Sequence, residues 1–344
     1  DSFGDAINRV WYFDGTNWSD ISNGLEPFPV NKIKYIEGSN NNLLAATDVG
    51  VYYYNDYNST WLPLNDGMPY CIISDIEINY STNKIRAATF GRGIWEGYLP
   101  CTRGPYEFVI NSNTTWNDYK REDRNIIVES GNTLTVTGKL VMTEGRKIIV
   151  KTNAKLIIDG GTITNACNSP WQGIEVQGNS AQSQYPISGA YQQGIVQIIN
   201  GGTIENAVCG IKTINSDASN PSLTTGGIIR ADNAVFHNCK TAIEFLPYQN
   251  YQPANNNMPI ANFSLISQCT FETDDNLYAQ GVEPTAFISL AGVQGIKIYG
   301  NTFTNTTTQN VNNRGIGVLS TFSGFDLLPV CTSQTYPCPE VNKQ

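Results

Sequence analysis

Three similar stretches decide the fold of this chain: GGTITNAC at residues 160–167, GGTIENAVC at 201–209 and NAVFHNC at 233–239. CTFETDD at 269–275 and NTFTNTT at 301–307 continue the series more loosely. Each stretch places one large apolar residue before a polar turn, at intervals of 32 to 41 residues: Ile163, Ile204, Phe236, Phe271 and Phe303. A strand that begins Gly-Ile or Ala-Ile usually follows. Self-similarity of this kind predicts repeating coils of about 20–25 core residues with loop insertions of variable length.

Stacked coils form a parallel β-helix, in which every coil places short strands on the same faces as its neighbours. Asn165, Asn206, Asn238 and Asn305 fall at equivalent turns of the repeat, and Asn tolerates the left-handed backbone conformation that tight turns require. We therefore predict that residues 125–344 form a right-handed parallel β-helix with a Cys/Pro-rich tail. A β-sandwich is the alternative.

Residues 125–325 resemble the pectate-lyase-like β-helix superfamily in these repeated phrases and stacked turns. The superfamily includes enzymes, adhesins and inert stalks, so the resemblance implies a fold and no single chemistry. The NTD…DD…GHG…RIK series that pectin hydrolases carry on this scaffold is absent from the sequence.

Residues 1–100 contain a second repeat with a different period. LLAATDVGVYYY at 43–54 and IRAATFGRGIWE at 85–96 each place an apolar Ala-Ala-Thr strand, a Gly turn and an aromatic strand in the same order. The equivalent residues Ala46 and Ala88 are 42 positions apart. This is the period of a propeller blade of about four strands.

This segment resembles the closing blades of BNR/sialidase-like β-propellers, including those of large secreted Bacteroidetes proteins. VWYFDGTNWSDIS resembles an Asp-box with Asp14, Gly15 and Trp18 in place, and the family uses this box as a structural turn, which implies no catalytic role for Asp14. About two and a half blades are present, whereas a closed propeller needs at least about four. We therefore expect the C-terminal part of a larger propeller, joined to the β-helix by a connector at 101–124, and an all-β fold throughout.

The composition favours an extracellular protein and excludes two classes of partner. Polarity comes from 39 Asn and from hydroxyl residues, because only 15% of the chain is charged. A net charge of −9 leaves no basic footprint for nucleic acid. No apolar run approaches 18 residues, so no membrane-spanning helix is predicted. The resemblance adds a cell-surface or secreted location and export by a type IX secretion route.

The eight cysteines include no CxxC pair, and an even number fits an oxidising exterior. Cys331 and Cys338 bracket a short Pro-containing loop and are candidates for a local disulfide. Cys71 and Cys101 flank one repeat unit and are candidates for a second. For the central four, buried free thiols and disulfides stay open as alternatives: Cys167, Cys209, Cys239 and Cys269.

No catalytic, metal or cofactor site is predicted. Asp274 and Asp275 in ETDDN could contribute to a glycosidase pair or bind calcium, but one short acidic run is weak support for either. We interpret them as surface turn acids, and His237, the only histidine, as a solvent-facing turn residue. The other acids considered lie on or beside strands: Asp159, Glu175, Glu205, Asp232 and Glu244.

Three Tyr-, Gln- and Asn-rich loops carry the candidate binding residues: Tyr185, Tyr191, Tyr248, Tyr251 and Tyr278. Loops of this composition suit binding, and the alternative is that they cover the coils and bury their own tyrosines. We therefore predict a structural and adhesive segment that presents loops to glycans or surface proteins. A polysaccharide lyase or hydrolase, and a self-associating subunit of a surface fibre, are the alternatives. An enzyme requires acids and a basic residue stacked on one face of the coils.

Overall fold

The computed structural model describes most of the chain, namely residues 9–55, 57–101, 107–187, 189–308 and 314–328. The described residues are almost entirely β-strand and divide into two compact units. The first unit comprises residues 1–105 and 121–123, and the second comprises residues 106–120 and 124–344. The described part is thus all-β, as the sequence predicts.

The first unit consists of three antiparallel sheets, with the strand orders β1-β2, β3-β4-β5-β6 and β7-β8-β9. The strands are β1 (Trp11–Phe13), β2 (Trp18–Asp20), β3 (Val30–Tyr35), β4 (Leu43–Thr47), β5 (Gly50–Asn55), β6 (Thr60–Pro63), β7 (Ile73–Asn79), β8 (Lys84–Thr89) and β9 (Ile94–Tyr98).

The 42-residue repeat corresponds to two equivalent hairpins, β4–β5 and β8–β9. In each hairpin an Ala-Ala-Thr strand pairs with an aromatic strand, so that Ala45 lies opposite Tyr52 and Ala87 lies opposite Trp95. Side chains of both larger sheets share one apolar core, which buries Leu44, Ile76 and Ile85, among others. The predicted repeat is therefore a repeat of antiparallel hairpins.

The second unit is built from coils that each contribute one strand to three parallel sheets, except that the last described coil contributes only to the first two. Residues 121 and 122 end the third strand of the first coil, although they are grouped with the first compact unit. The first four coils contain β10 (Phe108–Ile110), β11 (Thr114–Trp116) and β12 (Lys120–Glu122); β13 (Ile126–Val128), β14 (Thr133–Val136) and β15 (Lys139–Met142); β16 (Lys147–Val150), β17 (Lys155–Asp159) and β18 (Thr162–Asn165); and β19 (Trp171–Val176), β20 (Ile195–Ile199) and β21 (Thr203–Glu205).

The later coils carry larger insertions. They contain β22 (Ala207–Lys212), β23 (Ile228–Asp232) and β24 (Val235–His237); β25 (Thr241–Phe245), β28 (Leu265–Ser267) and β29 (Thr270–Thr273); β30 (Ala286–Ala291), β31 (Gln294–Tyr299) and β32 (Thr302–Asn305); and β33 (Ile316–Thr321) and β34 (Gly324–Leu328). The insertions include a 3-10 turn at Pro221–Thr224, a small hairpin of β26 (Tyr251–Gln252) and β27 (Met258–Pro259), and helix α1 (Asp275–Ala279).

The strand order of each sheet follows the coil number. The first sheet is β10-β13-β16-β19-β22-β25-β30-β33, the second is β11-β14-β17-β20-β23-β28-β31-β34, and the third is β12-β15-β18-β21-β24-β29-β32. This is the topology of a parallel β-helix. Parallel pairing between successive coils excludes the β-sandwich alternative, whose sheets are antiparallel.

The apolar residues of the repeat stack in register along the third sheet, where the first four are buried and the last, Phe303, is 37% exposed. Ile163 pairs with Ile204, and Ile204 pairs with Phe236. The ring of Phe271 stacks on that of Phe236 at 5.0 Å and on that of Phe303 at 4.9 Å. The repeat that the sequence predicts is therefore confirmed residue by residue.

The coils begin earlier than the sequence suggests. Residues of the predicted connector, 101–124, form β10 to β12, and Phe108 already pairs in parallel with Ile126. Strands β10 and β11 have only three residues each and lie in a polar stretch. Although their residues favour strands, three residues are too short a run to stand out, and the two strands are paired by register with the following coil.

One corner of the coils requires a left-handed residue in five successive turns. The positions between the second and third sheets have φ values between 51° and 66°, and they are Gly160, Asn200, Asn233, Gln268 and Gly300. Gly and Asn adopt this conformation at little cost, whereas other residues are strained there. The sequence analysis does not predict this column of left-handed residues, although Gly and Asn occupy four of its five positions.

The Asn series predicted at the other turns is only partly correct. Asn206 and Asn238 have left-handed φ values of 55° and 52°, but Asn165 and Asn305 do not. Asn165 donates to the carbonyl of Ser169 at 3.2 Å, and Asn305 donates to that of Arg314 at 2.9 Å. These two amides cap longer connections to the next coil, whereas Asn206 precedes the next strand directly.

The cysteines contradict one of the predicted disulfides. Cys71 is a free, half-buried thiol, while Cys101 is disulfide-bonded, so they are not a pair. Cys167 is also disulfide-bonded. Cys209, Cys239 and Cys269 are buried free thiols, and burial raises the pKa of both Cys239 and Cys269 to about 12. Cys331 and Cys338 lie outside the described residues.

Gln268 is an exposed side chain on a strained backbone, with φ at 51°. Gln268→Asn should raise the free energy of unfolding by up to about 1 kcal/mol, because Asn accepts the left-handed conformation more readily. Urea denaturation followed by circular dichroism measures the change. Gln268→Ala, which keeps the strain, is the control, and an equal gain in both variants would contradict the explanation.

Phe271→Ala should destabilise the second unit by about 3–5 kcal/mol, because the ring is fully buried between two others. Phe322→Ala is the matched control, since that ring is 93% exposed, and it should change stability by no more than about 0.5 kcal/mol. The same denaturation measurement applies, and similar losses in both variants would refute the interior stack.

Candidate functional site

Three long insertions leave the coils at the same corner. Residues 177–194, 213–227 and 246–264 each join a strand of the first sheet to a strand of the second sheet, in three successive coils. Two of the predicted tyrosine loops are therefore neighbours. The third, at 274–285, joins the third sheet to the first, so Tyr278 lies at a different corner and does not belong to this group.

Buried amides hold the two neighbouring tyrosine loops together. Backbone N–H of Gln184 donates to Asn250 Oδ1 at 2.9 Å, and Gln184 Oε1 accepts from the backbone of Phe263 at 2.8 Å. Asn250 Nδ2 donates to the carbonyl of Ala261 at 2.9 Å. Gln184 and Asn250 are fully buried, and each unsatisfied amide would cost about 1–3 kcal/mol. We call residues 179–193 and 247–263 the loop platform.

Two of the candidate tyrosines hold the platform together. Tyr248 is only 5% exposed, its hydroxyl donates to the carbonyl of Gln182 at 2.7 Å, and burial raises its pKa. The half-buried Tyr251 donates its hydroxyl to the carbonyl of Ala181 at 2.8 Å. The ring of Tyr248 packs against the coils and is buried, so this tyrosine supports the platform from within.

Tyr185 and Tyr191 remain accessible on the platform. Tyr185 is 42% exposed, and its ring centroid lies 6.2 Å from that of Phe263. The half-exposed ring of Tyr191 lies 5.9 Å from the guanidinium carbon of Arg230. Arg230 Nη2 also donates to the Tyr191 hydroxyl at 3.4 Å, so one loop tyrosine is fixed against the second sheet.

Arg230 belongs to an outward column of the second sheet. Arg230, Leu265 and Lys297 lie in parallel register on β23, β28 and β31. They line a hollow of about 460 Å³, together with Asn262 and Phe263 of the loop platform. We call Arg230, Leu265 and Lys297 the outward column. The candidate site is thus a shallow hollow with aromatic, amide and basic groups.

The sequence reasoning missed the basic residues of this site. The pattern IIRAD at 228–232 and GIKIY at 295–299 places one cation among apolar residues that alternate inward. In a strand such a position faces outward. The signal was therefore present, but only the register of the coils brings the two cations to one column.

A second polar cluster lies on the third sheet. Glu205 and His237 pair in register on β21 and β24. Glu205 Oε1 lies 3.6 Å from His237 Nδ1, and Asp274 Oδ2 lies 3.2 Å from Nε2. The Glu205 contact and the Asp274 charge raise the pKa of His237 against the opposing effect of burial. His237 ends strand β24 and does not lie in a turn, and its imidazole is 27% exposed between the two carboxylates.

The acids of ETDDN have structural contacts. Asp274 caps α1 by accepting from the backbone of Asn276 at 2.8 Å, and it accepts from Asn238 Nδ2 at 2.8 Å. Asp275 accepts from the hydroxyls of Thr307 at 2.5 Å and Thr308 at 2.7 Å. Among the described residues, no group of three or more His, Cys, Asp or Glu side chains could hold a metal ion.

Three of the other acids also have structural contacts. Buried Glu175 accepts from Lys147 Nζ at 3.1 Å and from the backbone of Ser216 at 2.9 Å, which fixes the middle insertion. Asp159 accepts from Asn200, and Asp232 accepts from Ser267. These contacts join successive coils, as structural acids do.

A larger groove of about 800 Å³ follows the corner between the third and first sheets. Its charged residues are Lys240, Glu283 and Arg314, and no aromatic side chain lines it. The hollow at the outward column is the better candidate site, because it combines ring faces with amides and carries no acid in its lining.

Comparison of the chain with protein-family models, with curated proteins and with solved structures finds no match. No helix in the described ranges is long and apolar enough to span a bilayer.

His237→Asn should make the thermal stability of the protein less dependent on pH above neutrality. A raised pKa stabilises the fold fully below the ordinary His value of about 6.5, and this stabilisation is lost as the pH rises through the folded-state value. The flanking carboxylates, Glu205 and Asp274, have lowered pKa values, so their contribution is lost only as the pH falls below about 4.

The Tm difference between the native protein and His237→Asn should thus be largest near pH 5.5 and shrink towards pH 9, as measured by scanning fluorimetry. A difference that stays constant or grows with pH would contradict the ion-pair assignment.

Proposed function

We propose that this chain is a structural and adhesive segment of a secreted or cell-surface protein, which presents its loop platform to glycans. The observation that carries the proposal is the buried amide network of Gln184 and Asn250, which joins two long loops. A surface whose loops are ordered before the ligand arrives loses less conformational entropy on binding. Loops that only cover the coils would not need this many buried hydrogen bonds.

The exposed groups of the platform suit a carbohydrate. Tyr185 and Tyr191 are rigid aromatic side chains that offer contact area at low entropic cost. Neighbouring amides and backbone groups can exchange hydrogen bonds with hydroxyls. A protein partner and self-association into a fibre stay predictions, since no contact in the described part favours either over a glycan.

The finer architecture is part of the proposal. We infer that the coils are right-handed and that the first unit represents the terminal blades of a BNR-type β-propeller. Support comes from the repeated hairpins and from apolar side chains on β1 and β2 that further blades would cover. Trp11, Phe13 and Trp18 are each more than 45% exposed, which is unusual for large aromatic residues in a complete domain.

An extracellular location is part of the proposal. The bonded state of Cys101 and Cys167 supports an oxidising compartment, where disulfides form and persist. Export by a type IX route rests on the sequence resemblance alone.

A glycan-cleaving enzyme is the second candidate, because Glu205, His237 and Asp274 are stacked on one face of neighbouring coils. Acids beside a basic group are the arrangement that this alternative requires. Adhesion is preferred, because Asp274 already caps a helix and the cluster lies outside the lining of both large hollows.

Retention on immobilised neutral and acidic polysaccharides tests the proposal. The full chain should be retained without releasing shortened products. Tyr185→Ala/Tyr191→Ala should weaken retention about tenfold, at ~0.7 kcal/mol for each ring. Tyr70→Ala is the matched control, since Tyr70 is 74% exposed and lies in the first unit, and it should leave retention unchanged.

Chromatography of the soluble fraction separates the two candidates. Shortened products that disappear in Glu205→Gln would establish the enzyme. Retention that is absent on every polysaccharide, or equal in the Tyr185/Tyr191 and Tyr70 variants, would sink the proposed role of the platform.

A further inference from the structure

We propose that the hollow beside the loop platform recognises a glycan in which acidic and neutral sugars alternate, with the chain running along the coil axis. This inference rests on the proposed glycan binding and specifies the ligand of the same site. The outward column supplies the pattern, because Arg230 and Lys297 are separated by the apolar Leu265.

The spacing of the column fits such a repeat. Adjacent strands of a sheet lie ~4.8 Å apart, so the backbones of Arg230 and Lys297, two strands apart, are separated by ~10 Å. This is about the length of two sugar residues in an extended chain. An acid on every second sugar could therefore contact one cation each, while the sugar between them lies over Leu265.

The cations of this face form no ion pair within the part of the chain whose side chains the structure describes. Arg230 and Lys297 make no ion pair with any residue that the structure describes, and neither does Lys155 on β17. The chain has 30 acids against 21 Lys and Arg, and elsewhere Lys34, Lys84 and Lys151, for example, each contact a Glu.

The pKa of Lys155 is lowered first by burial and then by the positive charge of Arg230. Like charges held together without counter-charges destabilise the free protein and favour an anion. The acid on the same strand as Arg230, Asp232, accepts from Ser267 and does not line the hollow. A second acid, Asp326 on β34, lies opposite Lys297 in parallel register, so the outward column ends beside an acidic position.

The preference for alternating acidic and neutral sugars follows from the free-energy cost of burying an unpaired carboxylate. A polymer with a carboxylate on every sugar would place one against Leu265, which offers no donor. Desolvating that carboxylate without a partner is unfavourable. The face is also too sparsely charged for nucleic acid, whose affinity comes from many phosphate contacts. A glycan with alternate charges satisfies both cations and the apolar position between them.

The net charge of −9 opposes any polyanion at long range. Contact attraction and long-range repulsion predict opposite effects of salt, since salt screens both. If attraction by the outward column dominates, binding weakens as the NaCl concentration rises from ~0.05 to ~0.3 M, a range that brackets physiological ionic strength. Stronger binding at high salt would overturn the proposal.

The experiment measures affinity of the full chain for three soluble polymers by biolayer interferometry. The probes are hyaluronan, with a carboxylate on alternate sugars, polygalacturonate, with one on every sugar, and carboxyl-reduced hyaluronan, with none. We expect hyaluronan to bind about tenfold more tightly than either of the others, since charge-assisted hydrogen bonds to both cations form only there without an unpaired acid.

Two double variants with the same change of net charge test the site. Arg230→Gln/Lys297→Gln should lose at least about tenfold in hyaluronan affinity. Lys240→Gln/Arg314→Gln removes two exposed cations from the other groove and should leave the affinity unchanged. Equal losses in both variants would show attraction by net charge alone and would refute the site.

Leu265→Lys tests the alternation directly. It fills the apolar position with a third cation and should shift preference towards polygalacturonate. Polygalacturonate that binds the native chain as tightly as hyaluronan, or a preference unchanged by Leu265→Lys, overturns the alternation.

The outcome also separates this inference from the proposed function. Equal binding of all three polymers that is still lost in Tyr185→Ala/Tyr191→Ala would refute the charge pattern and leave glycan binding by the platform intact. Failure to bind any of the three polymers or the neutral panel would overturn both.

Discussion

Stacking of each coil on the next is the constraint on which the second unit depends. Because adjacent strands lie ~4.8 Å apart, a residue at a given position contacts the same position in the neighbouring coils. Phe271 therefore requires an apolar partner above and below, and it finds Phe236 and Phe303. The same logic makes the left-handed corner recur, since one coil cannot turn differently without breaking register with the next. Gln268 shows that the backbone conformation is imposed by the stack even where the side chain does not favour it.

The corners are where this fold admits variation. A strand is fixed by hydrogen bonds on both sides, whereas a corner can be extended without disturbing the interior. Three insertions at one corner of successive coils lie close enough to be joined by buried amides, notably Gln184 and Asn250. The loop platform is thus a small polar core built outside the main apolar core. Because the loop platform is conformationally ordered, Tyr185 and Tyr191 are held in place for binding as well as being exposed.

Outward positions of the strands carry the least structural constraint and so are the most informative about function. Most acids of the coils bond to a neighbouring coil, as Glu175 and Asp232 do. The cations of the outward column form no ion pair with the described residues, and they lie beside the loop platform, where Arg230 contacts Tyr191. The cluster around His237 is the converse case, because its charges already satisfy one another. Unpaired charge beside ordered aromatic loops distinguishes a candidate binding site from a structural network.

The sequence by itself determined the repeats, because a stacked coil must repeat its apolar residue and its turn. The spacing alone predicts that the repeated apolar residues, from Ile163 in one coil to Phe303 in the last, lie in register. The repeat of Ala46 at Ala88 likewise predicts the two equivalent hairpins. Only the tertiary structure decided which tyrosines are accessible, since burial of Tyr248 and separation of Tyr278 depend on which sheets each loop connects. It also decided that Cys71 and Cys101 are not a pair and that Arg230 and Lys297 share a column. Contacts between residues 30 or more positions apart, through insertions of unequal length, leave no local pattern from which they could be predicted.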